Sequence, residues 1–397
     1  MSEWKEYSIG EIVTFQRGHD LPRDEMNQGP YPVAGSNSII GFHDKYTSDS
    51  PGITIGRSGN IGNPQLHKTK FWAHNTTLYV KKFNSVDPVF FYYLLKTLDF
   101  SQLNSGSAVP SLNRNFIHPY KVKIPVDLPT QTAIAEILSS LDDKIELNNK
   151  INQELEDLAQ TLFKRWFIDF EFPNENGDPY KSSGGEMVDS ELGEIPKGWG
   201  VGKLKDILNV KGGTTPSTKE PKYWGGDFHW TSPRDLSNLS HPILLNTEKK
   251  ISNLGLRKVS SGLLPKGTLL LSSRAPIGYT AITEIETAIN QGYIAINGKN
   301  GFSNIFLLFW IKQNMDLIIE RANGSTFLEI SKSNFLEINT VIPNEGYLNL
   351  FIGQAEVLFG QMKNVVFENQ ELTTLRDTLL PKLISGELEV SQIQNLP

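Results

Sequence analysis

The sequence predicts an α/β (α+β) fold in which two similar globular domains are joined by two long, antiparallel, coiled-coil-like helices with pseudo-two-fold symmetry. Three observations predict it. The tetrad Asn-Gln-Glu-Leu occurs at 152–155 and again at 369–372, each time inside an apolar stripe of helical period. A shift of 217 residues places Leu141 on Leu358, Ile145 on Met362, Asn152 on Asn369, Leu158 on Leu375 and Leu162 on Leu379. The blocks preceding the stripes also match: Trp4 with Trp199, Arg57 with Arg274, Gly62 with Gly278, Asn115 with Asn334 and Pro125 with Pro343.

Residues 1–126 form the first block, with strand-like alternation and turn signals such as PGITIG, and a short helix from about Pro88 to Leu98. Residues 127–170 form the first long helix. Pro129 suits its first turn, and apolar residues recur from Ile134 through Trp166 at steps of three and four, interrupted by Asn148, Asn149 and Asn152. Residues 171–197, rich in Gly, Pro and Asn, read as a linker. The second block covers 198–344 and carries 22 extra residues between its Trp and its Arg. The second long helix covers 345–388, with Pro381 expected to end or kink it near its last turn, and 389–397 is a tail. A stripe of about 38 residues runs about 57 Å and cannot be buried within one block. Antiparallel docking covers both stripes, with Leu141, Ile145, Asn152, Leu155 and Leu162 facing Leu358, Met362, Asn369, Leu372 and Leu379 along the seam. Two readings of the paired amides stay open, a polar register-setter inside the seam or a solvated face.

The chain has no cysteine and a net charge of −6, with 38% hydrophobic residues, which reads as a soluble, cytoplasmic protein without disulfides or thiolate metal sites. No run approaches the length of a membrane span, and the start lacks a secretory apolar stretch. The charge is uneven. Residues 1–125 hold 13 Lys and Arg against 10 Asp and Glu, and residues 201–343 hold 16 against 11, while the helical stretches are acidic. No metal is expected, because the seven histidines lack ligand spacing. Catalytic motifs are absent as well. DPVF at 87–90 lacks the second proline of an adenine-methylating loop and reads as a helix start. GRSGNIG fails the Gly-x-Ser-x-Gly spacing, and no glycine-rich turn suits a cofactor, so none is expected.

The segments LRDTLLPKLISGEL (375–388), KGGTTPSTKEPKYWGGDFHWTSPRDL (211–236) and GPYPVAGSNSIIGFHDKY (29–46) resemble the specificity (S) subunit of type I restriction–modification systems, over nearly the whole chain. It departs from that family where the helices begin, with IPVDLPTQ and IPNEGYLN in place of a Pro-rich run followed by Glu-Gln. The resemblance implies a non-catalytic subunit whose blocks are target-recognition domains. Each would read one half of a split double-stranded DNA target. The helices would hold the halves apart and dock methyltransferase (M) subunits, two per chain, which flip and methylate adenines, with restriction (R) subunits able to join. Half-sites on one face of DNA lie about 34–36 Å apart, within reach of such a spacer. Two other classes remain open from the residues: a self-sufficient methyltransferase or nuclease, and a coiled-coil adaptor binding protein or glycan.

Arg57 and Arg274 match between the blocks. With Ser58, Asn60 and Ser273 beside them they suit a shared role, either a phosphate contact or a structural hydrogen bond. Base readers are expected where the copies differ. Those positions are Ser36, Asn37 and His43 against Trp230, Ser232 and Arg234, and Asn113 and Arg114 against Lys332 and Asn334.

Overall fold

The computed structural model describes residues 3–58, 61–100, 111–324 and 328–394. Contacts divide the chain into two compact units, residues 1–146 with 369–397 and residues 147–368. Each unit therefore holds one block and half of each long helix, whereas the apolar periodicity alone sets the helices apart as separate spacers.

In the first unit the order is β1 (Trp4–Ser8), α1 (Ile9–Ile12), β2 (Val13–Arg17), β3 (Tyr31–Ala34), β4 (Ile39–His43), β5 (Gly52–Gly56), β6 (Pro64–His67), β7 (Trp72–Ala73), β8 (Thr77–Phe83), α2 (Pro88–Lys96), α3 (Arg114–Ile117), β9 (Lys121–Pro125) and the start of α4 (Leu128–Phe167). The main sheet runs β2-β8-β5-β6, a second runs β4-β3-β7, and β1 pairs with β9. Helix α2 starts where DPVF suggests. The Asp87 carboxylate accepts from the amides of Val89 and Phe90 at 2.9 and 2.8 Å, with Pro88 in the first turn.

Between the two blocks in sequence lies a hairpin of β10 (Met187–Ser190) and β11 (Gly193–Pro196). The stretch expected as a linker is thus folded into the second unit. Phe172 stacks on Trp199 with centroids 4.9 Å apart and on Tyr180 at 4.6 Å, and burying these rings outweighs the turn-forming composition around them.

The second unit continues with β12 (Gly200–Lys203), α5 (Leu204–Ile207), β13 (Leu208–Gly212), β14 (Trp224–Thr231), α6 (Pro233–Ser237), β15 (Ile243–Leu244), β16 (Lys249–Ile251), α7 (Asn253–Leu256), β17 (Leu269–Ser273), β18 (Ile277–Thr283), β19 (Thr287–Ile289), β20 (Tyr293–Gly298), α8 (Asn304–Gln313), α9 (Met315–Glu320), α10 (Lys332–Leu336), β21 (Asn339–Ile342) and α11 (Glu345–Ser385). A last helix, α12 (Val390–Gln394), belongs to the first unit. The sheets repeat the first unit's order: β13-β20-β17-β18 with β15 added, β16-β14-β19, and β12 paired with β21.

The long helices enter both cores, in opposite directions. In the first unit Ile134, Ala135 and Leu138 of α4 share a core with Leu380, Leu383 and Ile384 of α11. In the second, Phe163, Trp166 and Phe167 pack around Phe351 at 5.0–6.0 Å between centroids. The start of each helix thus meets the end of the other, and the pair is antiparallel. Along it Asn152 and Met362 are buried, while Leu141, Ile145, Leu155, Leu162, Leu358, Asn369, Leu372 and Leu379 are half-buried. Leu158 and Leu375, matched within the predicted stripes, instead face solvent at 55% and 47% exposure. The buried line passes through Asn148, Asn152 and Ala159, so amides and a small residue occupy the seam in place of those leucines. Pro381 does not end α11. Leu383 and Ile384 beyond it are buried in the first unit's core, and the helix stops before Gly386 at φ +76°.

Phe163→Ala should lower stability by about 3–5 kcal/mol through loss of buried ring contacts. Leu158→Ala, on the same helix but exposed, should stay within about 0.5 kcal/mol. Denaturant unfolding of the purified chain checks both. A second expectation concerns His67, buried on β6 with its Nε2 2.9 Å from the Thr54 hydroxyl. Burial pushes its pKa down from 6.5 to about 4. The unfolded chain therefore takes up a proton that the folded chain refuses, and the neutral ring's contribution is intact above pH 6.5 and lost as pH falls towards 4. The stability advantage of the wild type over His67→Asn should shrink by about 3 kcal/mol across that window, read from urea unfolding at each pH.

Candidate nucleic-acid interface

The ends of β2 and β5 and the start of α3 meet in the first unit at an open cleft of about 610 Å³ lined by Gln16, Arg17, His19, Asp20, Arg57, Asn113 and Arg114. A glycine makes the meeting possible. A Cβ at Gly18 would lie 2.1 Å from the carbonyl oxygen of His74, and its absence lets the chain after β2 run against the segment before β8. The Gly18 and His19 amides donate there to Thr77 and Ala73 at 3.0 and 2.8 Å. Arg57, at the end of β5, donates its amide to the Thr76 carbonyl at 2.9 Å and Nη1 to the Asn75 carbonyl at 3.3 Å. The Arg57 carbonyl in turn accepts from the Leu112 amide at 2.8 Å, which docks the 111–114 segment beside it. Asn113 caps α3, its side-chain oxygen accepting from the Asn115 amide. Arg114 then projects from the first helical position and is exposed.

Asp20 tempers the positive charge, lying 3.5 Å from Arg17 and accepting from the Asn75 amide group. His118 supports the cleft from behind. Its Nε2 accepts from the Phe15 amide at 3.0 Å, and burial, aided by the nearby Arg114 charge, pulls its pKa down so the ring keeps that acceptor. Arg17, Arg57 and Arg114 present the fork geometry suited to phosphate oxygens or to guanine.

The second unit builds the same frame with other side chains. Gly213 stands where Gly18 does, a Cβ there falling 1.9 Å from the Ile289 carbonyl oxygen. The hydrogen-bond register corrects the sequence match by one residue. The Ser273 amide donates to Gly292 and its carbonyl accepts from Ile330, just as Arg57 donates to Thr76 and accepts from Leu112. Arg57 therefore corresponds to Ser273, and Arg274 to Ser58, each of the latter pair making the next bridge, to Glu329 and Ser111. Arg57 and Arg274 are not one shared residue, and no common role follows from their match in sequence. Ser273 is buried, and Arg274 pairs with Glu329 at 3.3 Å. By the same register Asn113 and Ser331 are the equivalent caps, and Arg114 corresponds to Lys332. Asn334 therefore corresponds to Phe116 and not to Asn115; its side chain donates to the Arg321 carbonyl. Gly212 takes the place of Arg17, with Lys332 lying over it. The two frames match while their charged groups do not.

Arg57, Asn113 and Arg114 thus come together, and Ser58 lies on the bridge beside them. Ser36 is adjacent, donating its hydroxyl to the Thr76 carbonyl at 2.7 Å, with Asn37 exposed next to it. Asn60 lies outside the described residues. Two predicted base readers are corrected. His43 is only 6% exposed, accepting from the Asn27 amide and packing edge-on to Trp72, and Trp230 is 5% exposed among Ile251, Val259 and Ala288. Strand alternation turns both side chains inward. Ser232 is engaged with Asp235 as the start of α6, and Arg234, on that helix, stays exposed 3.6 Å from Glu248. Sequence reasoning missed Arg17, His19 and Asp20. The signal available was QRGHD, running off the end of β2 and aligned with KGGTT in the second block.

The chain matches the type I restriction modification DNA specificity domain over residues 1–157 and 196–346. The HindI specificity subunit of Haemophilus influenzae is 26% identical over 98% of this chain and 100% of its own length. The MjaIX specificity subunit of Methanocaldococcus jannaschii is 40% identical over 40% of this chain, a region spanning 37% of that relative. A solved type I restriction–modification S subunit from M. genitalium shares the fold, with a TM-score of 0.60, 18% identity and 96% coverage of both chains. With the family domain present in both blocks, on the same strand order and the same glycine-pinched frame, this chain belongs to the type I restriction–modification DNA specificity family.

Proposed function

We propose that the chain reads a split double-stranded DNA target, one half with each block, while its helix pair docks methyltransferase subunits, two per chain, and accommodates restriction subunits. The chain contributes specificity and no catalysis of its own; methyl transfer and cleavage are the work of the partner subunits. One observation supports this reading above the others: two equivalent frames carry unlike charged groups, three arginines around one and Arg274 with Lys332 on the other. Equivalent frames suit a common way of sitting on the duplex, and unlike side chains suit two different base sequences. Arg17, Arg57 and Arg114 are the groups assigned to the first half-site, and Arg274, Lys332 and Arg234 to the second. No helix among the described residues is long and apolar enough to cross a membrane. A cytoplasmic location follows from the DNA partner.

Sequencing methylated adenines in host DNA with and without the gene tests the reading. A single two-part motif should lose methylation on deletion, and an unchanged methylation map would end the proposal. Arg57→Ala with Arg114→Ala, assayed in the complex with methyltransferase subunits, should alter only the half-site read by the first block. If those arginines hold phosphates, the slope of log affinity against log salt should fall by about 0.9 per residue removed. If one reads a guanine, discrimination at a single base should drop by about 1–3 kcal/mol.

A further inference from the structure

The two long helices carry equivalent apolar stripes. A seam built from the stripes alone would accept a second copy of the same helix as readily as the unlike one. The polar contacts across the seam break that equivalence. In the first unit Arg376 of α11 donates from Nη1 to Asp142 Oδ1 of α4 at 2.6 Å, and the other Asp142 oxygen accepts from the Tyr93 phenol at 2.7 Å. Both charged side chains are largely covered, at 17% and 27% exposure. Their repeat equivalents are Ala159 and Phe359, buried apolar residues of the second unit's core. In the second unit Asn148 Nδ2 donates to Glu368 Oε2 at 2.9 Å, and the repeat equivalents of that pair are Val365 and Ile151.

A second α4 laid on α4 in the same antiparallel register would set Asp142 against Ala159. A second α11 laid on α11 would set Arg376 against Phe359 and Glu368 against Val365. Each exchange covers a charge and takes away its partner across the seam, leaving Arg376 only the flanking Asp377 at 2.8 Å and Asp142 only the Tyr93 phenol, which is unfavourable, whereas exchange of matched positions such as Leu141 and Leu358 costs little.

We propose that the Asp142–Arg376 pair, seconded by Asn148–Glu368, makes the seam selective for the unlike helix and excludes association of two copies through like helices, α4 on α4 or α11 on α11. The selectivity resides in these four residues and is independent of which DNA the blocks read.

The test uses the full-length chain. Unlabelled and isotope-labelled copies are unfolded, mixed and refolded together, and cross-linking mass spectrometry counts cross-links between like helices of different label, α4 to α4 or α11 to α11. The wild type should give none, only α4 to α11. Asp142→Phe with Arg376→Ala, which writes the second unit's apolar residues into the first, should raise the ratio of like-helix to unlike-helix cross-links by at least about a hundredfold. Asp142→Asn with Arg376→Met removes both charges with little change of shape, and should shift the ratio the same way if the larger substitution fails to fold. Like-helix cross-links in the wild type, or a folded charge-free variant that gives none, overturns the proposal.

Discussion

Neither block closes its own core. The first unit needs Ile134 and Leu138 from one long helix and Leu380 and Leu383 from the other, and the second needs Phe163 and Phe167 together with Phe351 and Ala355. A stripe about 40 residues long cannot be satisfied by one globular block, and each helix therefore runs through two cores. Burial of these side chains removes apolar surface worth on the order of 2 kcal/mol apiece. That gain couples each block to both helices, and local folding of a block without its helical halves would leave a large apolar face in water.

The recognition frame is built on backbone, and its chemistry on side chains. A glycine after the first sheet strand of each block admits a carbonyl to within a distance no Cβ tolerates, and hydrogen bonds from the end of the next sheet strand fix the neighbouring segment. These contacts are the same in both units. What stands on them differs: Arg17, Arg57 and Arg114 in one, Gly212, Ser273 and Lys332 in the other. A duplicated unit can diverge this way because exposed residues on a pinned backbone change without disturbing the core below.

The long helices occupy Leu128–Phe167 and Glu345–Ser385, close to the stretches their apolar periodicity marks, because period and length are local properties that sequence displays directly. The short helix at Pro88 is equally readable from its cap and its proline. The failures share a cause. Leu158 and Leu375 keep the rhythm but face solvent, since which face of a helix is buried depends on a partner far away in sequence. Residues 171–197 have linker composition yet carry a hairpin, because Phe172 finds Trp199 and Tyr180.

Sequence by itself determined the duplication, the block–helix–block–helix order and the family, all of which rest on matched residue types at a nearly constant offset. Tertiary structure alone decided the site. It set Arg57 against Ser273 and not Arg274, a one-place change no alignment of the two copies displayed, since register follows from which amide meets which carbonyl. It also turned His43 and Trp230 into cores and gathered Arg17, Arg57 and Arg114, distant along the chain, around one cleft. Strand pairing and the room left by an absent Cβ are long-range steric facts, and they exist only once the chain has folded.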